Sequence, residues 1–261
     1  NMAGMFKSCH SFKSLDLTRF TTNNVKNMSQ CFEDCFLLEE LDVSKMITNN
    51  VQDMGKMFLG CSLLKKIDVS RFDTSNVEDM REMFGSCTSL EELDVSRFST
   101  SKVFNTSKMF QYLHNVKRID VSNFVTSMVR DMSFMFHHCK SVTSLDVSRF
   151  ITNKVTNMES FFDDCEEITD LNVLNFDTSL VTSFSRMFAT CKKLRSLDVH
   201  NFRTPSATDM SYMFQSCNSL TSLDVKSFNT SLVTSMENMF AATNITKLDL
   251  SNFDTKKVTT M

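Results

Sequence analysis

The chain has 261 residues, is 41% hydrophobic and carries a formal net charge of −3. Four glycines and one proline are too few for a disordered chain or a loop-rich sandwich, and there is no basic excess of the kind that nucleic acid selects. No apolar run reaches the roughly 18 residues that a bilayer-crossing helix needs, so no membrane-inserting segment is expected.

The sequence repeats every 26 residues. Full copies begin at Leu15, Leu41, Ile67, Leu93, Ile119, Leu145, Leu171, Leu197 and Leu223, with partial copies at 1–14 and 248–261. A period in the range of about 20–50 residues signals stacked units, so 1–261 is read as a single repeat array. Asn1-Met2 and Met261 both fall inside a copy, and the array is expected to be a segment of a longer protein. The lack of a targeting motif therefore carries no information about location.

Within a copy, numbered 1–26 from the opening Leu or Ile, the first element is L-x-x-L-x-V, as in Leu90, Leu93 and Val95. Its alternation predicts a short strand with one buried face. Position 6 is Phe in nine of ten copies, Met46 being the exception, and position 8 is Thr in every copy from Thr22 to Thr255. A Thr followed by Ser or Asn, just ahead of an apolar run, predicts a helix N-cap. Val77, Met80, Met83, Phe84 and Cys87 then fall on one face at helical spacing, so a short helix, partly 3₁₀, is expected from about position 9 to position 20. The expected fold is an α/β leucine-rich-repeat solenoid, one short strand plus one short helix per turn.

The segment IDVSRFDTSNVEDMREMFGSCTSLEELDVS from Ile67, and SLDVKSFNTSLVTSMENMF from Ser222 to Phe240, resemble the 26-residue repeat of bacterial surface proteins grouped with BspA-like leucine-rich repeats. The resemblance covers the whole chain. It implies a leucine-rich-repeat solenoid, exposure on a microbial surface, and roles in adhesion or host recognition.

Eight of the nine cysteines occupy position 21, and Cys31 takes a Met position. The spacing lacks the paired C-x-x-C clusters of zinc sites, and Leu113 stands in the same column, so a ladder of reduced, buried thiols is expected. Position 2 is Asp in nine of ten copies, with Asn172 the exception. This outward strip is read as bonded to its own backbone, with cation or basic-partner binding as the competing reading. Position 5 is mostly basic up to Arg149 and becomes Asn175, Asn201, Ser227 and Asn252; position 4 changes from Ser or Thr to Leu174, His200 and Lys226. Asn172, Leu174, Asp198, His200, Asp224 and Lys226 thus form the candidate partner-contact patch.

No phosphate loop, H-E-x-x-H, G-x-S-x-G or triad signature is present. The five histidines share no register expected to gather three of them. No catalytic residue, metal or cofactor is therefore assigned. The expected function is a non-enzymatic recognition or adhesion module that binds a protein or glycan through the strand face, at the cell surface or outside the cell. An intracellular protein-interaction scaffold is the alternative, favoured by the free thiols.

Overall fold

A computed structural model describes all 261 residues. The 26-residue copies stack as the rungs of one solenoid, and 76 buried apolar residues form a single core from Met2 to Met239. No rung buries its apolar positions alone; each covers its neighbour.

The expected strand is present but short. Strands β1 (Ser14–Leu15) and β2 (Glu40–Leu41) pair in parallel, as do β3 (Asp170–Leu171) and β4 (Ser196–Leu197). Single bridges, Lys66 to Glu92 and Arg118 to Ser144, continue the same side. The longer ladder lies elsewhere. Position 13 bridges rung to rung without interruption from Asn27 through Asp53, Asp79, Asn105, Asp131, Asn157, Ser183, Asp209 and Ser235 to Thr260.

The expected helix does not form, in any rung. Val, Met, Met, Phe and Cys recur at helical spacing for a different reason. Each rung is a succession of tight turns in which a backbone N–H bonds the carbonyl three residues back: Phe72 to Val69, Val77 to Thr74, Met83 to Met80, Cys87 to Phe84 and Leu90 to Cys87. Both ends of each turn face inward, so i and i+3 are buried without a helix, and apolar except where the Thr column opens a turn. Other N–H groups leave the rung instead of bonding within it. Met80, Glu82, Phe84 and Ser86 donate to Asn105, Ser107, Met109 and Gln111 of the next rung.

This path needs left-handed backbone at positions 16 and 20, where φ lies near +60° in 18 non-glycine residues, including Glu82 (55°) and Ser86 (58°). Each costs about 1–2 kcal/mol in local sterics. The same residues supply the inter-rung N–H bonds, which are absent from a local helix. Gly4 at position 16 and Gly60 at position 20 share this backbone, and a Cβ on Gly60 would lie 2.6 Å from the Asp34 carboxylate oxygen Oδ1.

The Thr column does not cap helices. The Thr126 hydroxyl donates to the Ile151 carbonyl at 3.0 Å and accepts from the Ile151 N–H at 2.7 Å. Thr100, Thr178 and Thr204 repeat both bonds to Val125, Arg203 and Asn229. A buried hydroxyl thus satisfies both backbone groups of a residue one rung away. Beside it, ten phenylalanines at position 18 stack in one file, with neighbouring centroids 5.4 to 6.2 Å apart.

The cysteine column has its own acceptor. The Sγ of Cys61, Cys87, Cys139 and Cys165 donates at 3.1 to 3.2 Å to the carbonyl of Phe32, Phe58, Phe110 and Phe136, in each case the position-18 residue of the preceding rung. Burial pushes the thiols up, to about 12 for Cys87.

Candidate functional site

The strand face changes character along its length, and the residue types at position 26 change with it. After Ser14 this position holds Glu40, Lys66, Glu92 and Arg118; farther on it holds Ser144, Asp170, Ser196 and Ser222. A concavity of about 600 Å³ lies over the later rungs, with Ser196 and Ser222 on its lining. Leu171, Leu197 and Leu223 form its floor, and Asp170, Asn172, Asp198 and Asp224 stand around it. Leu174 is also on the lining, and Lys247 is the one cation there.

The Asp column at position 2 is built by a local rule. Each Asp Oδ1 accepts the N–H two residues on, as Asp94 does from Ser96 (2.9 Å) and Asp68 from Ser70 (2.9 Å). Such Asx turns open the corner that follows the strand. Hydrogen bonds from Ser96, side chain first and then backbone, hold the Asp94 carboxyl below its ordinary range. Position 13 obeys the same rule: Asp79 accepts from Arg81, Asn105 from Ser107 and Asp131 from Ser133. The sequence showed this column as recurrent Asn and Asp one residue ahead of the first inward Met, a signal the helical reading passed over.

Of the six patch residues expected from sequence, Asn172, Leu174, Asp198 and Asp224 line the concavity. His200 and Lys226 lie outside the lining. The Nδ1 of His200 sits 2.7 Å from Asp198 Oδ1, while Lys226 reaches Asp249 at 3.6 Å. The asparagines at position 5 have a structural role: Asn175 and Asn201 donate to the carbonyls of Ser148 and Leu174 one rung back.

The histidines correct an expectation. His114, His137 and His138 do gather, in rungs four and five. His138 stacks on Tyr112 at 4.8 Å, edges onto His137 at 4.1 Å and pairs with Asp164. His137 Nδ1 lies 3.3 Å from Asp163, and Lys140 bridges Asp164 and Glu166 at 3.0 and 3.2 Å. Positions 19 and 20 of successive rungs carry His137-His138 and Asp163-Asp164, and only stacking of rungs brings these pairs together. No three His, Cys, Asp or Glu side chains are grouped so as to hold a metal ion.

Turn-built rungs, a leucine-floored strand face and a continuous core define a leucine-rich-repeat-type solenoid. The chain belongs to the family described as "Mycoplasma protein of unknown function, DUF285", whose model matches residues 1–118, 91–172 and 158–261. Solved structures similar to it include a leucine-rich repeat protein from Eubacterium ventriosum, 12% identical, covering 89% of this chain and 84% of that one, with a TM-score of 0.41. A leucine-rich repeat protein from Leptospira interrogans is also 12% identical, covering 93% and 79%, with a TM-score of 0.29. Another, from Bacteroides ovatus, is 16% identical, covering 85% and 80%, with a TM-score of 0.25. No curated protein matches the chain. No helix is long and apolar enough to cross a membrane.

Proposed function

We propose that the chain is a non-enzymatic recognition module that binds a protein or glycan through its strand face, displayed on a cell surface or outside the cell. The observation that carries the reading is the concavity over Leu171, Leu197 and Leu223, lined by Ser196 and Ser222 where rungs such as those of Lys66 and Arg118 carry long charged side chains at position 26. A leucine floor ringed by polar groups offers the apolar contact and the few directional bonds that recognition uses. Placement at a surface rests on the resemblance to bacterial surface repeats. The thiol column favours an intracellular scaffold only if its thiols need a reducing compartment. Burial of eight of the nine cysteines removes most of that need.

The test is to refill the face. Arg118 shows that a long side chain fits position 26. A Ser196→Arg/Ser222→Arg variant should fold as the parent does and lose binding to ligands found on peptide and glycan arrays. Unchanged binding by this variant would remove the concavity as the recognition surface.

A further inference from the structure

We infer that the concavity takes a basic segment of a partner protein, an arginine or lysine whose aliphatic stem lies on the leucine floor and whose head meets the carboxylates. The inference rests on reading this face as the recognition surface, and adds the chemistry of the occupant.

Charge is the first argument. The lining holds Asp170, Asp198 and Asp224 against Lys247 alone. The first half of the face answers the same Asp column with its own cations. Arg71 and Arg97 favour ionised Asp68, Arg97 favours ionised Asp94, and Arg118 reaches Asp120 at 3.1 Å. Over the concavity those cations are missing. Asn175, Asn201 and Ser227 occupy position 5, and the two asparagines are spent on carbonyls of the preceding rung. Lys226 turns to Asp249, and Lys192 and Lys193 pair with Glu166 and Glu167 at 2.6 Å.

Unused acceptors are the second argument. Asp198 Oδ1 accepts from the His200 N–H and faces its ring, and Asp224 Oδ1 accepts from the Lys226 N–H; in both, Oδ2 has no hydrogen-bond partner within the chain. These oxygens stand one rung apart beside Leu197 and Leu223. A guanidinium or ammonium on an aliphatic stem matches that combination, since such side chains lay their methylenes on apolar surface and keep the charge among polar groups. A neutral glycan would leave the carboxylates uncompensated. An acidic partner would be repelled.

The experiment is fluorescence anisotropy on the full chain with three labelled extended peptides, alternating Leu with Arg, Ser or Glu. The Leu-Arg peptide should bind best and weaken as ionic strength rises. In an Asp198→Asn/Asp224→Asn variant its Kd should rise about tenfold or more, against less than about twofold in Asp68→Asn/Asp94→Asn. Asn172 shows that Asn fits this position, so both variants should fold. Equal weakening by the two pairs, or no preference for the Leu-Arg peptide, would overturn the inference. If the peptide shows no preference but the Ser196→Arg/Ser222→Arg variant still loses another ligand, the charge class fails and the recognition surface stands. If the filled variant binds everything as the parent does, both fail.

Discussion

At the scale of the residue, most positions of the repeat have one polar task or one apolar one. The Thr column shows how specific the task is. Thr126 both donates to and accepts from Ile151 one rung away, so serine can replace it and valine cannot. Thr126→Val should cost about 1–3 kcal/mol through the unpaired backbone groups it leaves, with Thr126→Ser much milder, as read by urea denaturation. The thiols are equally constrained. Eight are buried and one, Cys9, is half-buried; buried groups with raised pKa are inert. Thiol titration should find at most Cys9 reactive in the native chain and all nine cysteines after unfolding. Several disulfides would contradict the column of S–H donors.

The gathered histidines give a pH dependence. Burial, ahead of the neighbouring His137 charge, lowers His138 below 6.5, and burial followed by Lys140 lowers His114. Asp163, Asp164 and Glu166 face the cluster with opposite sign but do not reverse the shift. A depressed folded pKa means that the unfolded chain binds the proton first, so this contribution is fully present above pH 6.5 and is lost as pH falls through the folded values. Thermal unfolding between pH 7.5 and 5, values chosen to span roughly a unit or more on either side of histidine's ordinary range, should show Tm falling with acid. A His114→Gln/His138→Gln variant should flatten that fall. A second loss belongs below pH 3.8, where the Asp column, lowered by its Ser partners, takes up protons.

At the scale of the element, the decisive feature is the left-handed residue at positions 16 and 20. It turns what reads as a helix into tandem turns wired to the next rung. Ser86→Gly, at φ 58°, should stabilise the array by up to about 1 kcal/mol by relieving the left-handed strain. Gly60→Ala should destabilise it, because the new Cβ meets Asp34 Oδ1 at 2.6 Å. Far-UV circular dichroism should lack the helical double minimum; a strong one would contradict the turn-built rung. Val77, Met80, Met83, Phe84 and Cys87 were legible as one buried face. Their backbone was not, since 3.6-residue periodicity and repeated i to i+3 turns produce nearly the same apolar spacing.

At the scale of the molecule, the file of position-18 phenylalanines ties every rung to the next. Phe136 lies in the middle, stacked on Phe110 at 5.6 Å and Phe162 at 5.9 Å. Phe136→Ala should cost about 3–5 kcal/mol. Because each rung contacts only its neighbours, the loss should also uncouple the two halves and broaden or split the thermal transition. A single, equally sharp transition at lower Tm would argue for tighter coupling than nearest-neighbour stacking gives.

The sequence alone determined the period, the core columns, the outward Asp strip and the breakdown of its pattern after Arg149, because each is a choice of residue type repeated at fixed spacing. Asn172, Leu174, Asp198 and Asp224 could be singled out that way, as departures or acids on one outward face. The tertiary structure decided what spacing cannot encode. It sent part of the N–H groups to carbonyls one rung away and the others to carbonyls three residues back, instead of four residues back along a helix. It brought His137-His138 against Asp163-Asp164. It also opened a concavity where Ser196 and Ser222 stand in place of Lys66 and Arg118. The inter-rung bonds, the His–Asp pairs and the concavity all draw on residues about one period apart, which come together only when the rungs stack.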